Sequence, residues 1–197
     1  AFISTIIKIA QNYNLTRESF FLASMRSYQE AHNNYFDEIE NDVEKFAKTY
    51  HINLNTPLKS KDLEDILIEE FRYTIDTKEL SKHEDLAELR NIFIPNKKTL
   101  LIYNNITEPQ KTFIFAKELA YNFLEINERL YTFPWIKFDT FDQVLNNFYA
   151  SYFAGALIIP SASIKEQLHK VFEKEKFDAS LFLQIMEVYN ASPESFY

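Results

Sequence analysis

Residues 113–124 read FIFAKELAYNFL, and Lys117, Glu118 and Tyr121 carry its chemistry at helical spacing. On a helix, positions i and i+4 share a face about 6 Å apart. In an H-E-x-x-H helix that spacing lets two imidazoles bind one zinc ion while the intervening Glu acts as base. Here the imidazole positions are Lys117 and Tyr121. An ammonium repels a divalent cation unless deprotonated, and a phenol ionises only near pH 10. Glu118 alone does not make a catalytic zinc site, which wants about three protein ligands. The four histidines, His32, His51, His83 and His169, form no i, i+4 pair and read as surface or capping residues. The expectation is no metal, no catalytic residue and no cofactor. What remains is a helix face offering an ammonium, a carboxylate and a phenol.

The surrounding pattern says which elements must position that face. Phe20, Phe21, Met25, Tyr28, Ala31, Tyr35, Ile39, Val43, Phe46 and Ala47 recur at spacings of three and four, predicting one long helix or two with a bend. Ile6, Ile9 and Ala10 suggest a short amphipathic segment before it. Ser60 is expected to cap a helix running through Phe71, with Leu63, Ile66 and Leu67 inward. RYTID reads as a short strand, and KELSKHEDLAELR as a loop or one helical turn. NIFIPNKKTLLIYNN is a hairpin candidate turning at Pro95–Lys98. Thr107, Pro109 and Gln110 form the start signal of the motif helix, which should run to about Leu124.

YTFPWIKFDT reads as a lid-like aromatic loop, and Asp139 or Thr140 starts an apolar helix ending at Pro160. That helix holds Gly155, the single glycine of the chain, for which close backbone packing is the expected role. Helices from Ser163 to about Lys174 and from Asp178 to about Asn190 close the chain. The order implies an α+β fold, mostly helical, with a small sheet or hairpin packed on the motif helix.

Bulk properties bound the function. Of 197 residues, 46% are hydrophobic, with 19 Phe and 12 Tyr, enough for a real core. The aromatic wealth reads first as compositional bias and second as the wall of an apolar pocket. A net charge of −8 opposes binding to phosphate backbones. The absence of cysteine excludes disulfide and thiolate chemistry and fits a reducing, cytoplasmic setting. No apolar run approaches the roughly 20 residues of a membrane span, and AFISTIIKIA lacks the basic start and cleavage site of a signal peptide. A chain that begins without Met and stops at SPESFY is expected to be part of a longer protein.

YNNITEPQKTFIFAKELAYNFL resembles the active-helix segment of ImmA/IrrE-type metallopeptidases, and NNFYASYFAGALIIP resembles their second motif, EAnrFAaaLLmP. In that family the third zinc ligand is a Glu four residues before the Phe. Four before Phe153 stands Tyr149, so all three ligand positions differ and only the base, Glu118, is kept. A subgroup accounts for this pattern. AKELAYNFL, NNFYASYFAGALIIP and NASPESFY resemble the short-chain fatty acyl transcriptional regulators, in which the helix reads [KR]-E-x-x-[YF]. The resemblance covers about residues 15–197. It implies a zincin-like core and an XRE-type helix-turn-helix upstream, with a cysteine-containing tail; neither of the last two is in this sequence.

On that resemblance, residues 1–52 are a helical linker from an upstream DNA-binding domain, 53–160 a degenerate metallopeptidase-like core, and 161–197 a helical extension. Lys117, Tyr121 and Tyr149 would converge where a metal sits in the peptidases, beside Glu118, with Phe113, Phe148, Tyr152 and Phe153 as walls. An ammonium and two phenols beside apolar surface suit an anionic or carbonyl-bearing small molecule. The resemblance implies a short-chain acyl-CoA or related metabolite. Arg26, Lys97, Lys98 and Arg129 are candidate cations for its phosphates. The expected partners are that effector, DNA through the upstream module, and a second copy in a homodimer, with no membrane. Three readings compete: a non-catalytic sensor, a peptidase with unconventional ligands or no metal, and a plain protein-interaction module. Beside them stands the reading that Lys117, Glu118 and Tyr121 only make structural contacts that fill the old metal cavity.

Overall fold

A computed structural model describes residues 16–86, 88–129, 140–173 and 179–189. The first periodic stripe forms two helices with a bend. Helix α1 (Arg17–Ala31) is capped by Thr16, whose hydroxyl accepts from the Ser19 amide, and α2 spans Asp37–Thr49. Between them Asn33 and Asn34 both adopt left-handed backbone (φ 53° and 56°), a conformation Asn tolerates better than most residues. Helix α2 buries Ile39, Val43, Phe46 and Ala47, one face at i, i+4, i+7, i+8. Helix α1 buries only Met25 and leaves Phe20 and Leu22 exposed.

Helix α3 (Ser60–Glu69) seats Leu63 and Leu67 fully in the core. Its N-cap is Lys59, without a side-chain bond, which corrects the expectation that Ser60 caps it. The Ser60 hydroxyl donates instead to Glu108 Oε2 at 2.6 Å. A carboxylate is a stronger acceptor partner than a neutral group, and the bond ties the start of α3 to the start of the motif helix.

Three short strands follow: β1 (Thr74–Asp76), β2 (Asn91–Ile94) and β3 (Thr99–Ile102), in spatial order β1-β3-β2. β3 is parallel to β1 and antiparallel to β2, with Ile94 opposite Thr99 and Asn91 opposite Ile102. The expected hairpin is present, turning through a 3-10 turn at Pro95–Lys97 and a left-handed Lys98. Leu100 and Ile102 alternate inward from β3 onto the helices. The polar stretch before β2 forms two 3-10 turns, Leu80–Lys82 and Glu84–Leu86.

The motif helix, α4 (Glu108–Phe123), opens with the full capping box expected from Thr107 and Gln110. It packs against α3 on one side and α5 (Phe141–Ile158) on the other. Thr140 caps α5, accepting from the Gln143 amide. Phe46, Phe115 and Phe153 fill the centre of this core. An ideal Cβ placed on Gly155 meets nothing within 4 Å, so the close packing expected there is absent. Helices α6 (Ser161–Phe172) and α7 (Ala179–Val188) form a satellite around Val171, Ile185 and Tyr189. The fold is α+β, mostly helical, with a small mixed sheet. Among the described residues no helix is long and apolar enough to cross a membrane. The segment at Ile6–Ala10, residues 131–139 of the aromatic loop and NASPESFY lie outside the described residues.

Candidate functional site

Helix α4 is buried on nearly every side, so its polar side chains must find partners inside the protein. They do so in two constellations. Toward α5, the Lys117 ammonium donates to Asn147 Oδ1 at 2.7 Å. The Tyr121 hydroxyl reaches the same oxygen at 3.4 Å, a long and weak bond. Burial pulls the Lys117 pKa below the usual lysine value, against the opposing pull of Glu118's charge. Burial also pushes the Tyr121 phenol up, so it is a neutral donor at any physiological pH.

Toward the sheet, Glu118 is 6% exposed and its Oε2 accepts from Arg129 Nη1 at 2.6 Å and from the Tyr73 hydroxyl at 3.0 Å. Arg129 Nη2 also donates to Tyr73 Oη at 3.1 Å, and Asn122 Nδ2 donates to it at 2.8 Å. Tyr73 stacks on Phe93 of β2 with 19° between the rings. The Arg129 guanidinium lies 4.2 Å from the Phe93 ring centre and 4.6 Å from that of Tyr121, within cation–π range of both. Burial opposes the charge on Arg129, but Glu118 and Tyr73 more than offset it and its pKa is raised. Tyr73 is pushed up to about 12, by burial first and by Glu118 second. Arg129, a sequence candidate for a CoA phosphate, is therefore engaged by Glu118.

The remaining sequence candidates lie elsewhere. Tyr149, expected to converge with Lys117 and Tyr121, instead shares a 2.8 Å hydrogen bond with the Tyr28 hydroxyl of α1. Tyr152 donates to Glu40 Oε1 at 2.9 Å and accepts from the Phe36 amide at 3.2 Å. Phe36, the residue before α2, meets Phe148, Tyr149 and Tyr152 of α5 edge-on, and Tyr28 of α1 packs against Phe36 and Tyr149. Phe153 is fully buried against Phe46 and Phe123, and Phe113 is half-buried at the edge of the same core. Burial raises the pKa of both Tyr149 and Tyr152, the latter to about 12.

Sequence reasoning missed Asn147, Tyr73, Asn122 and Tyr28. Asn122 was within reach, because it stands four after Glu118 on one helix face. Asn147 had no such signal, being one polar residue in an aromatic run whose partner lies on another helix.

The arrangement can present a buried cation and neutral donors to a ligand. It does not suit a dication: an ammonium and a phenol stand around the amide oxygen of Asn147. Among the described residues no group of three or more His, Cys, Asp or Glu stands close enough to hold a metal ion.

A comparison with curated proteins finds no match. A solved structure of a Mycobacterium tuberculosis transcriptional regulator is similar in fold, with a TM-score of 0.62 and 16% identity. The likeness covers 87% of this chain and 49% of that one, so this chain spans about half the length of that structure. Residues 57–197 match the peptidase M78 family, described as the IrrE N-terminal-like domain. That match takes in all of α3, the sheet, the motif helix and everything after it, and the chain belongs to the IrrE N-terminal-like domain family.

Proposed function

We propose that this chain is a non-catalytic, ligand-sensing domain of a bacterial XRE-type transcriptional regulator of the short-chain fatty acyl subgroup. Its effector is a short-chain acyl-CoA or related metabolite, held at Lys117, Tyr121 and Asn147. The domain works in the cytoplasm as a homodimer and touches DNA only through an upstream helix-turn-helix.

The observation that carries this reading is the partner of Lys117. A largely buried ammonium with a depressed pKa is held by a neutral amide oxygen rather than a carboxylate. Burial outweighs the pull of the nearby Glu118 charge on this ammonium. A buried charge not directly paired is costly, and an anionic or carbonyl ligand group would offset that cost. The loss of hydrolysis is supported by Glu118, whose carboxylate is committed to Arg129 and Tyr73 and is poorly placed to act as a base. The regulatory setting is supported by the fold shared with a transcriptional regulator.

The test is thermal unfolding of the purified chain with CoA, acetyl-CoA and propionyl-CoA, alongside metal analysis. A true effector at 100 times its Kd stabilises the fold by about 2.7 kcal/mol, and Lys117→Met removes that shift. No shift with any of the three, or stoichiometric zinc with cleavage of a polypeptide, overturns the reading in favour of an interaction module or a peptidase.

A further inference from the structure

A groove of about 700 Å³ is lined by α2 from Glu40 to Lys48, by residues 51–55 and by the α5–α6 junction. Its volume is in the range of small-ligand sites. Val43, Ala47, Ala156 and Pro160 make an apolar floor. The polar wall is ordered along α2. Glu40 and Glu44 come first, then Lys48, with His51 just past the helix end. From residue 40 to residue 48 the helix rises about 12 Å.

Two features of the wall bear on its occupant. Glu40 is fixed in place by the Tyr152 hydroxyl at 2.9 Å, so the acidic end is held by a tie to α5. The Glu44–Lys48 pair, at 3.6 Å, is solvent-exposed on both sides. Exposed pairs of this kind are worth a few tenths of a kcal/mol, so a ligand carboxylate competes readily for Lys48.

We propose that this groove binds a short peptide with free termini, its amine at Glu40 and Glu44 and its carboxylate at Lys48 and His51. The charge order requires a ligand with a cation and an anion at opposite ends. The rise of about 12 Å from residue 40 to residue 48 matches an extended chain of three or four residues, which spans about 10–14 Å. The apolar floor favours small aliphatic side chains between the two ends. This site is independent of the Lys117 constellation: the groove lining includes none of Lys117, Tyr121 and Asn147.

Calorimetric titration of the chain with a tetrapeptide of leucine and alanine tests the proposal. The probe is used with free termini, N-acetylated, and as the C-terminal amide. Saturable binding of the free form is expected, weakened about tenfold or more by either block, which is at least about 1.4 kcal/mol. Lys48→Glu, at an exposed position, should weaken the free peptide while leaving the amide form unchanged. Glu44→Gln should weaken the C-terminal amide form, which binds through its amine, and should not weaken the N-acetyl form, because Lys48 is released from its pair with residue 44. Equal binding of all three forms, insensitivity to both variants, or no saturation overturns the proposal. Competition by a CoA ester for a response that both variants abolish also overturns it, because the groove would then hold the acyl effector.

Discussion

Arg129 and Glu118 meet at 2.6 Å with side chains only 13% and 7% exposed, and the guanidinium sits between the rings of Phe93 and Tyr121. One ion pair thus occupies the carboxylate of the motif helix, joins the loop after α4 to the sheet, and walls one side of Tyr121. The energetics of such a pair are asymmetric. Forming it costs desolvation of both ions, but removing one partner strands the other in a dry site. Arg129→Met is expected to destabilise the fold by about 3–5 kcal/mol, and Glu118→Leu by a similar amount. The double variant Arg129→Met, Glu118→Leu should recover most of that loss. A double-mutant cycle by urea unfolding measures it; additive single losses would show that the two side chains act independently.

Lys117 presents the opposite case, a buried ammonium whose nearest acceptor is neutral. Its pKa is lower in the folded chain than in the unfolded one. Between those two values the unfolded chain binds the extra proton, so this residue makes stability rise with pH and contributes a penalty below that window. Lys117→Met removes the charge while keeping the stem. The expected outcome is a change in unfolding free energy at pH 7 of no more than about 1 kcal/mol, in the stabilising direction. Unfolding curves collected across the alkaline range check the sign: the variant's advantage should shrink as pH approaches 10.5.

The tyrosines act in the other direction. Tyr73, Tyr121, Tyr149 and Tyr152 all have raised pKa values in the fold, each with burial as the first cause. A group raised above its unfolded value stabilises fully below that unfolded value, near 10.0 here, and the contribution is lost as pH rises through the folded value. Tyr73 and Tyr152, both raised to about 12, set a window from pH 10 to 12. Four phenols outweigh the single lysine, so net stability should fall steeply there. Phenolate absorbance and circular dichroism followed together should show a delayed group of tyrosines ionising as the helices melt. Smooth ionisation near pH 10 with the fold intact would contradict the burial of these residues.

The elements were legible where the signal is local. Thr107 and Gln110 announce the start of α4 because both capping bonds lie within four residues. Pro95 and the β-prone runs on either side announce the hairpin because the turn and the pairing are adjacent in the chain. The bend between α1 and α2 sits at Asn33–Asn34, inside an unbroken apolar stripe, so periodicity alone left one helix and two equally open. The site was legible only in part, because its partners are distant in sequence. Lys117 and Glu118 could be named from their spacing, but Asn147 is 30 residues from Lys117 and Tyr73 is 45 from Glu118. Tyr149 followed the wrong neighbour for a related reason: its partner Tyr28 lies 121 residues away on α1, a contact set by how helices pack.

Gly155 offers a clean probe of the packing between α5 and its surroundings. It lies within α5, its carbonyl accepts from the Ile159 amide, and its backbone is not in the left-handed region. Nothing within 4 Å opposes an added Cβ. A glycine inside a helix costs about 1 kcal/mol relative to alanine, chiefly through the extra freedom of the unfolded chain. With no steric demand to justify the residue, Gly155→Ala should raise the unfolding free energy by about 0.5–1 kcal/mol. For a chain of this size that is a rise in Tm of about 1–4 °C. A destabilised variant would mean that α5 packs more closely at this position in solution than the structure places it, and that the single glycine of the chain is a contact after all.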